Sequence, residues 1–234
     1  MSSVRIQRMS SVNGETHIRE FYDYACRNGF SEDFFLSAGN QDKYIETLID
    51  AYREYPLFLQ VFDEQYDAKT FSRMISIDLK SREGALIGIA SSGSYESILL
   101  VEPPGARKPS FLQYVRVADI AAYTLLLKPA MYKLEDFEKF ARDQRTPFLD
   151  DHTWYIYIFA TKTDAQKQGY GRKLMNLMLS YADLHGCRIC LETNSLPNVA
   201  MYEHFGFRTV STSVYKDTLE HAVMLYDSGA SHES

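Results

Sequence analysis

The run Gln166-Lys167-Gln168-Gly169-Tyr170-Gly171 carries the strongest chemical signal in this chain of 234 residues. It lies between an apolar strand pattern and an amphipathic helix pattern. A strand that ends in a glycine turn and runs into a helix gathers several backbone N–H groups at one point. Those donors, backed by the helix dipole, suit a pyrophosphate. Glycine leaves room for phosphate oxygens and lets the backbone take conformations other residues avoid. The run lacks the Lys-Ser or Lys-Thr ending of a P-loop, and has two glycines where a dinucleotide fingerprint has three. Close behind it, residues 191–207 supply a polar loop with Asn198 and a tyrosine, Tyr202. Together the segments suggest an enzyme that holds a phosphate-bearing cofactor and moves a group from it.

The flanking patterns must position these residues. Residues 153–161 are apolar on both faces, as in a central strand covered on each side. Over residues 169–186, Leu174, Leu177, Met178, Tyr181 and Ala182 form one helical stripe, with Gly186 as a C-terminal stop. Residues 188–193 read as the next strand. A strand, helix, strand unit of this length implies two parallel strands joined by a right-handed crossover. Residues 208–215 and 221–226 read as closing strands, and 227–234 as a frayed tail. Upstream, residues 3–9 read as a first strand and 17–26 as a helix. Helical spacing recurs at Tyr44, Ile45, Leu48, Ile49 and Tyr52, and again at Phe71, Met74, Ile75 and Leu79. Residues 58–62 lead into that second stretch. Residues 84–90 and 95–102 read as a strand pair stopped by Pro103-Pro104-Gly105. Residues 106–150 carry helical patterns without strand alternation and read as an insertion or lid within a single domain of residues 1–234.

Composition narrows the function. A formal net charge of −6 argues against a broad nucleic-acid footprint, which needs clustered Lys and Arg. The N-terminus shows no apolar run of signal-peptide length and nothing downstream reaches membrane-spanning length, so the expectation is a cytoplasmic protein without a membrane partner. Of three cysteines, Cys187 and Cys190 have the spacing of a redox or zinc half-site. They fall in a strand pattern without a second pair, so buried thiols and no metal are expected. Trp154, Tyr155, Tyr157 and Phe159 read as core, His204 as a surface helix residue, and residues 133–139 as a solvated helix face.

The segment from 152 to 207 resembles the core of the GNAT superfamily of acyl-CoA-dependent N-acetyltransferases. Gln166, Gly169 and Gly171 fill that family's pyrophosphate motif in register; Asn198, Tyr202-Glu203 and Gly206-Phe207 match its later segment. The spacing, and the turn Glu102-Pro103-Pro104-Gly105, are similar to the branch containing puromycin acetyltransferase. The likeness covers the last 85 or so residues well and the first half loosely. Lys167 stands where many members have glycine, and Thr163 where many have proline. The resemblance implies an α/β fold: a mixed, mostly antiparallel central sheet with one parallel strand pair and helices on both faces. It implies acetyl-CoA as co-substrate. The N–H groups of Gln168, Gly169, Gly171 and Arg172 would cradle the pyrophosphate. Phe159, Ala160 and Thr161 would pair with the pantetheine amides like an added strand and aim an N–H at the thioester oxygen. Asn198 would bond the pantetheine arm, and Tyr202 would protonate the departing thiolate.

An alkylammonium with a pKa near ~10.4 leaves about one molecule in 10³ as free amine at neutral pH, so the site needs a proton acceptor. Glu192, on the strand beside the cleft, is the first candidate, acting directly or through water; the bland alternative is a salt-bridged strand-end carboxylate. Glu102 and His152 are weaker candidates. The expected activity is direct acetyl transfer to a primary amine, most simply of a small molecule, in a ternary complex. A non-catalytic acyl-CoA-binding regulator of the same fold is the alternative. Monomer and homodimer are both compatible with the sequence.

Overall fold

The computed structural model describes residues 14–106, 109–117 and 124–229; the strand expected at 3–9 lies outside them. Helices α1 (Gly14–Arg27), α2 (Gln41–Ala51), α3 (Pro56–Val61) and α4 (Ala68–Ser81) precede strands β1 (Ile87–Ala90) and β2 (Ser97–Glu102). Then come α5 (Phe111–Val117), α6 (Pro129–Arg145), β3 (Thr153–Thr161), α7 (Tyr170–His185), β4 (Arg188–Thr193), α8 (Leu196–His204), β5 (Arg208–Tyr215) and β6 (Leu219–Asp227). The sheet order is β1-β2-β3-β4-β6-β5. Among the described residues only β3 and β4 pair in parallel, and the four other pairings are antiparallel. The mixed sheet with one parallel pair and helices on both faces agrees with expectation.

Element ends differ from the sequence expectation for local reasons. Residues 58–62 belong mostly to α3, which opens with Pro56 at its first position, where a missing N–H costs nothing. The first strand begins at Ile87 because Gly84, at φ 78°, turns the chain out of α4. At the other end β6 runs to Asp227, which pairs with Arg188 of β4 in the ladder and whose carboxylate meets Arg208 Nη2 at 2.8 Å.

Two apolar clusters sandwich the sheet. On one face α1 and α7 cover Ile89, Leu99, Trp154, Ile156, Ile189, Leu191 and Met224. Phe21, Trp154 and Tyr181 meet there with ring centroids 5.1 to 5.5 Å apart. On the other face α2, α3, α4 and α6 cover Ala90, Ile98, Leu100, Ile158 and Ala160. All five stripe residues expected on α7 are buried. Gly186 ends that helix at φ 64°, and the Cys187 N–H closes back on Ala182 O at 3.1 Å. Cys187, just ahead of β4, and Cys190, within it, are buried free thiols. Burial pushes the Cys187 thiol up to about 11 and the Cys190 thiol up to about 12.

A bulge in β3 sets the phase of the sheet at its centre. Val101 pairs with Ile156 and Leu100 with Ile158, which leaves Tyr157 unopposed. Before the bulge Tyr155 shares a cluster with Cys190 and Val223, and Ile156 packs under α7. After it Ile158 and Ala160 take the face that Tyr155 held. One extra residue thus exchanges the faces, and re-aiming side chains in this way is what bulges do. It explains why residues 153–161 look apolar on both sides.

Candidate active site

The parallel pairing of β3 with β4 stops early. Its last register pair is Ile156 with Leu191, although β3 continues to Thr161 and β4 to Thr193. Residues 158–161 still pair through their other edge with β2, so their edge toward β4 is open. The gap is the floor of a cleft of about 1180 Å³. Its walls include the turn between α2 and α3, the glycine turn before α7, and α8.

At one end of the cleft the glycine turn meets β3. Gly169 caps α7 at φ 90°, a left-handed conformation that costs an L-residue about 1–2 kcal/mol. A side chain there would meet open space, so the backbone angle is what requires glycine. At Gly171 the requirement is different. A Cβ would lie 3.0 Å from Phe159 Cζ and 3.1 Å from Thr161 Oγ1, so its absence lets the helix start seat against the strand end. The first bond that α7 closes on its cap runs from Lys173 N–H to Gly169 O, at 3.0 Å. The N–H groups of the turn before it are the unsatisfied donors of a helix start, beside the positive end of the helix dipole. Gln168 Nε2 donates to Asp164 O at 2.7 Å, which turns its side-chain amide back into the loop, and the residue lines the cleft. Lys167 adopts φ 62°, a conformation that favours glycine. Lys167 therefore holds a left-handed backbone without being glycine.

Along the walls, Phe159, Ala160, Thr161, Gln166, Arg172, Asn198, Tyr202 and Glu192 all face this one cleft. Tyr202 is 5% exposed and packs with Phe159 and Phe207, at centroid distances of 6.3 and 5.8 Å. Burial, then the neighbouring Tyr55 hydroxyl, raises its proton affinity above the ordinary tyrosine value, which keeps the phenol protonated and available as a donor. His204, exposed at the end of α8, also reaches the rim.

Glu192 is held by three groups. Its Oε2 accepts from Arg145 Nη1 at 2.9 Å and from the Tyr155 hydroxyl at 2.6 Å, and its Oε1 lies 3.1 Å from His221 Nε2. Burial works against the Arg145 charge, yet Tyr155 and Glu192 outweigh it and hold the guanidinium more firmly protonated than usual. The carboxylate is thus salt-bridged and cleft-lining at once. The two weaker base candidates sit elsewhere. His152 is exposed in the turn before β3, at the end of the strand opposite Thr161. Glu102 pairs with Arg82 in a separate network, where Arg82 also bonds Asp78 at 3.0 Å and lies 4.1 Å over the Tyr157 ring. Neither lines the cleft.

Sequence reasoning missed several cleft residues. Tyr157 read only as core alongside Trp154 and Tyr155, but it lines the cleft beside Phe159, which was expected both in the core and at the cofactor edge. Tyr55 reaches across from the α2–α3 turn and accepts the Asn194 N–H at 2.9 Å. His221 and Asn194 carry no role in the sequence reading. A signal existed for His221, a polar residue on the buried phase of β6 between Leu219 and Val223. Among the described residues no group of three or more His, Cys, Asp or Glu is placed to hold a metal ion. None of the described helices is long and apolar enough to cross a membrane.

The sheet, with its split parallel pair beside a helix start, shares the fold of solved acetyltransferase structures. Residues 130–207 match the model of the Acetyltransferase (GNAT) family. A 58-residue stretch is 41% identical to an uncharacterised N-acetyltransferase of Schizosaccharomyces pombe, covering 25% of this chain and 24% of that relative. The chain therefore matches about a quarter of that relative's length. Solved structures of similar fold include arylalkylamine N-acetyltransferase 2 from Aedes aegypti, with a TM-score of 0.54 and 14% identity over 82% of this chain and 97% of that one. A histone acetyltransferase HPA2 and related acetyltransferase from Corynebacterium glutamicum gives a TM-score of 0.52 and 17% identity over 83% and 95%.

Proposed function

We propose that this protein is an acetyl-CoA-dependent N-acetyltransferase that passes the acetyl group directly to a primary amine of a small-molecule acceptor. The observation that carries the reading is the open edge of β3 beside the first turn of α7, two features a pantetheine diphosphate needs together. Gln168, Gly169, Gly171 and Arg172 hold the pyrophosphate through backbone N–H groups, in the turn that Gln166 opens. Residues Phe159, Ala160 and Thr161 pair with the pantetheine amides as an added strand, and Asn198 bonds the arm from α8. Glu192 takes the ammonium proton, directly or through water. The amine nitrogen bonds to the thioester carbon and the carbon–sulfur bond breaks; Tyr202 supplies a proton to the departing thiolate, and the second proton of the attacking nitrogen passes through water back to the Tyr202 oxygen. Among the described residues no cysteine lines the cleft, which favours direct transfer over an acyl-enzyme. The mosquito neighbour is named for arylalkylamines, which supports an amine acceptor here, as do Tyr52, Tyr55 and Tyr157 on the cleft walls. Kinship with the puromycin acetyltransferase branch is part of this reading and rests on the turn after β2 and the spacing from Asn198 to Phe207.

Isothermal titration with acetyl-CoA tests the proposal. Saturable binding is expected, together with CoA release when a panel of amines is added. No detectable binding in the millimolar range would overturn it. Binding without transfer to any amine would replace it with a CoA-binding regulator.

A further inference from the structure

Behind Glu192 lies a second layer of polar groups that the transfer chemistry does not touch. His221 is 2% exposed and is covered edge-on by the rings of Phe137 and Phe140, at 5.7 and 5.5 Å. Its Nε2 faces Glu192 Oε1 at 3.1 Å, and its Nδ1 faces Asn194 Nδ2 at 3.3 Å. The same Asn194 nitrogen donates to Glu220 O at 2.8 Å. That bond decides which way the amide points, because the opposite orientation would set two oxygens against each other. Asn194 therefore uses one N–H on Glu220 O and turns the other to His221. Nδ1 is then the acceptor, and the ring proton sits on Nε2. The Tyr55 hydroxyl, accepting the Asn194 backbone N–H, anchors the amide in turn.

We propose that Asn194 and His221 are a locked pair of positioning residues: the amide fixes the tautomer of the imidazole, with its Nε2–H given to Glu192, and so keeps that carboxylate turned to the cleft. The proposal rests on the reading of Glu192 as the proton acceptor. A second ring proton would set N–H against N–H in a site closed to water, a buried clash of donors that nothing nearby relieves. The other charged or titratable groups around the ring come from each packed element. Glu192 comes from β4, Arg145 and Glu138 from α6, and Tyr155 from β3. Tyr215 comes from β5, with Asp136 and Lys216 behind it, and Tyr55 from the α2–α3 turn. Arg145 and Tyr155 already occupy Oε2, so His221 is what orients Oε1.

Proton–nitrogen correlation NMR on the full chain, with the His221 ring assigned by loss of its signals in His221→Gln, reads the tautomer without any need for activity. Protonated Nε2 and bare Nδ1 at neutral pH are expected; an Nδ1–H tautomer or an imidazolium would overturn the pair. Asn194→Asp places an acceptor opposite Nδ1. Both ring nitrogens should then be protonated, and kcat/KM should gain a pH-dependent limb absent from the wild type. A profile parallel to wild type in that variant also overturns the proposal. His221→Phe should lower kcat on the order of 10²-fold with KM for acetyl-CoA within about twofold, while His221→Gln, which keeps an N–H for Glu192, should stay within about tenfold of wild type. Equal losses in the two variants would reduce His221 to packing and overturn the proposal. If no amine is acetylated but the expected tautomer is found, the transferase reading fails alone. If the enzyme is active with the wrong tautomer, the pair fails alone.

Discussion

The Tyr155 hydroxyl donates to Glu192 Oε2 at 2.6 Å, one strand across and immediately beside the last register pair of the parallel ladder. Backbone pairing between β3 and β4 ends at Ile156 and Leu191; this side-chain clasp sits where the strands begin to part. Replacing Tyr155 by Phe should destabilise the fold by about 1.5–3 kcal/mol, the range for a hydrogen bond to a charged group. Urea denaturation measures it, and an unchanged midpoint would assign the clasp no weight.

Tyr202 offers the cleanest separation of chemistry from binding. Its ring packs against Phe159 and Phe207, contacts that phenylalanine preserves. Tyr202→Phe should therefore lower kcat by about 10²-fold, the low end for general acid–base catalysis, and leave acetyl-CoA affinity nearly unchanged. Equal turnover in steady-state assays would remove the general-acid role.

The three turn positions should respond differently. Gly169→Ala meets no atom but strains a left-handed backbone by about 1–2 kcal/mol, and should weaken acetyl-CoA in titration calorimetry. Gly171→Ala presses on Phe159 and Thr161 and should lower both stability and affinity. Lys167→Gly relieves the conformation at φ 62° and should stabilise the chain by up to about 1 kcal/mol in thermal melts, unless the added freedom of the unfolded chain offsets the gain.

Arg82 is the counter-charge for Asp78 and Glu102 in a half-buried network that also takes the Tyr157 hydroxyl onto Asp78 at 2.7 Å. Arg82→Ala removes the guanidinium that both carboxylates share. A loss of about 3–5 kcal/mol is expected from chemical denaturation, as for a broken buried ion pair. A loss below about 1 kcal/mol would mean that water already screens the network.

Alkaline pH should unfold the protein through its buried acids. Burial raises the Cys187 thiol from 9.0 to about 11 and the Cys190 thiol from 9.0 to about 12, and it raises the Tyr155, Tyr157 and Tyr202 phenols above 10.0. Above pH 9 the unfolded chain releases these protons while the folded chain keeps them. Their contribution to stability is therefore complete below pH 9 and is lost as pH rises through the folded values, by about 1.4 kcal/mol per pH unit for each proton withheld. Urea midpoints across the alkaline range test this, and Cys190→Ala should make the fall shallower.

Much of the cleft was legible before the fold. The glycine pair announced a helix start with free amides, the stripe from Leu174 to Ala182 announced which face that helix buries, and the apolar run at 153–161 announced a central strand. Those signals are local: each follows from backbone conformation or from side-chain periodicity within one element. Tyr157 was not legible, because a bulge is a relation between two strands and residues 153–161 alone do not reveal which residue lacks a partner. Gly171 was legible as a glycine but not for its reason, since Phe159 and Thr161 approach it only when strand and helix are docked.

The partners of Glu192 mark the boundary between the two kinds of information. The linear chain determines that a carboxylate stands on a strand beside the turn, and that Tyr202 follows on the next helix. Only tertiary packing brings Arg145 from 47 positions away, Tyr155 from 37 and His221 from 29 onto its two oxygens. Propensity and spacing act over a few residues, whereas a buried carboxylate takes its donors from whatever elements close over it. The sequence therefore settles which ionisable groups the protein has, and the packing of α6, β3 and β6 around β4 decides how that carboxylate is held.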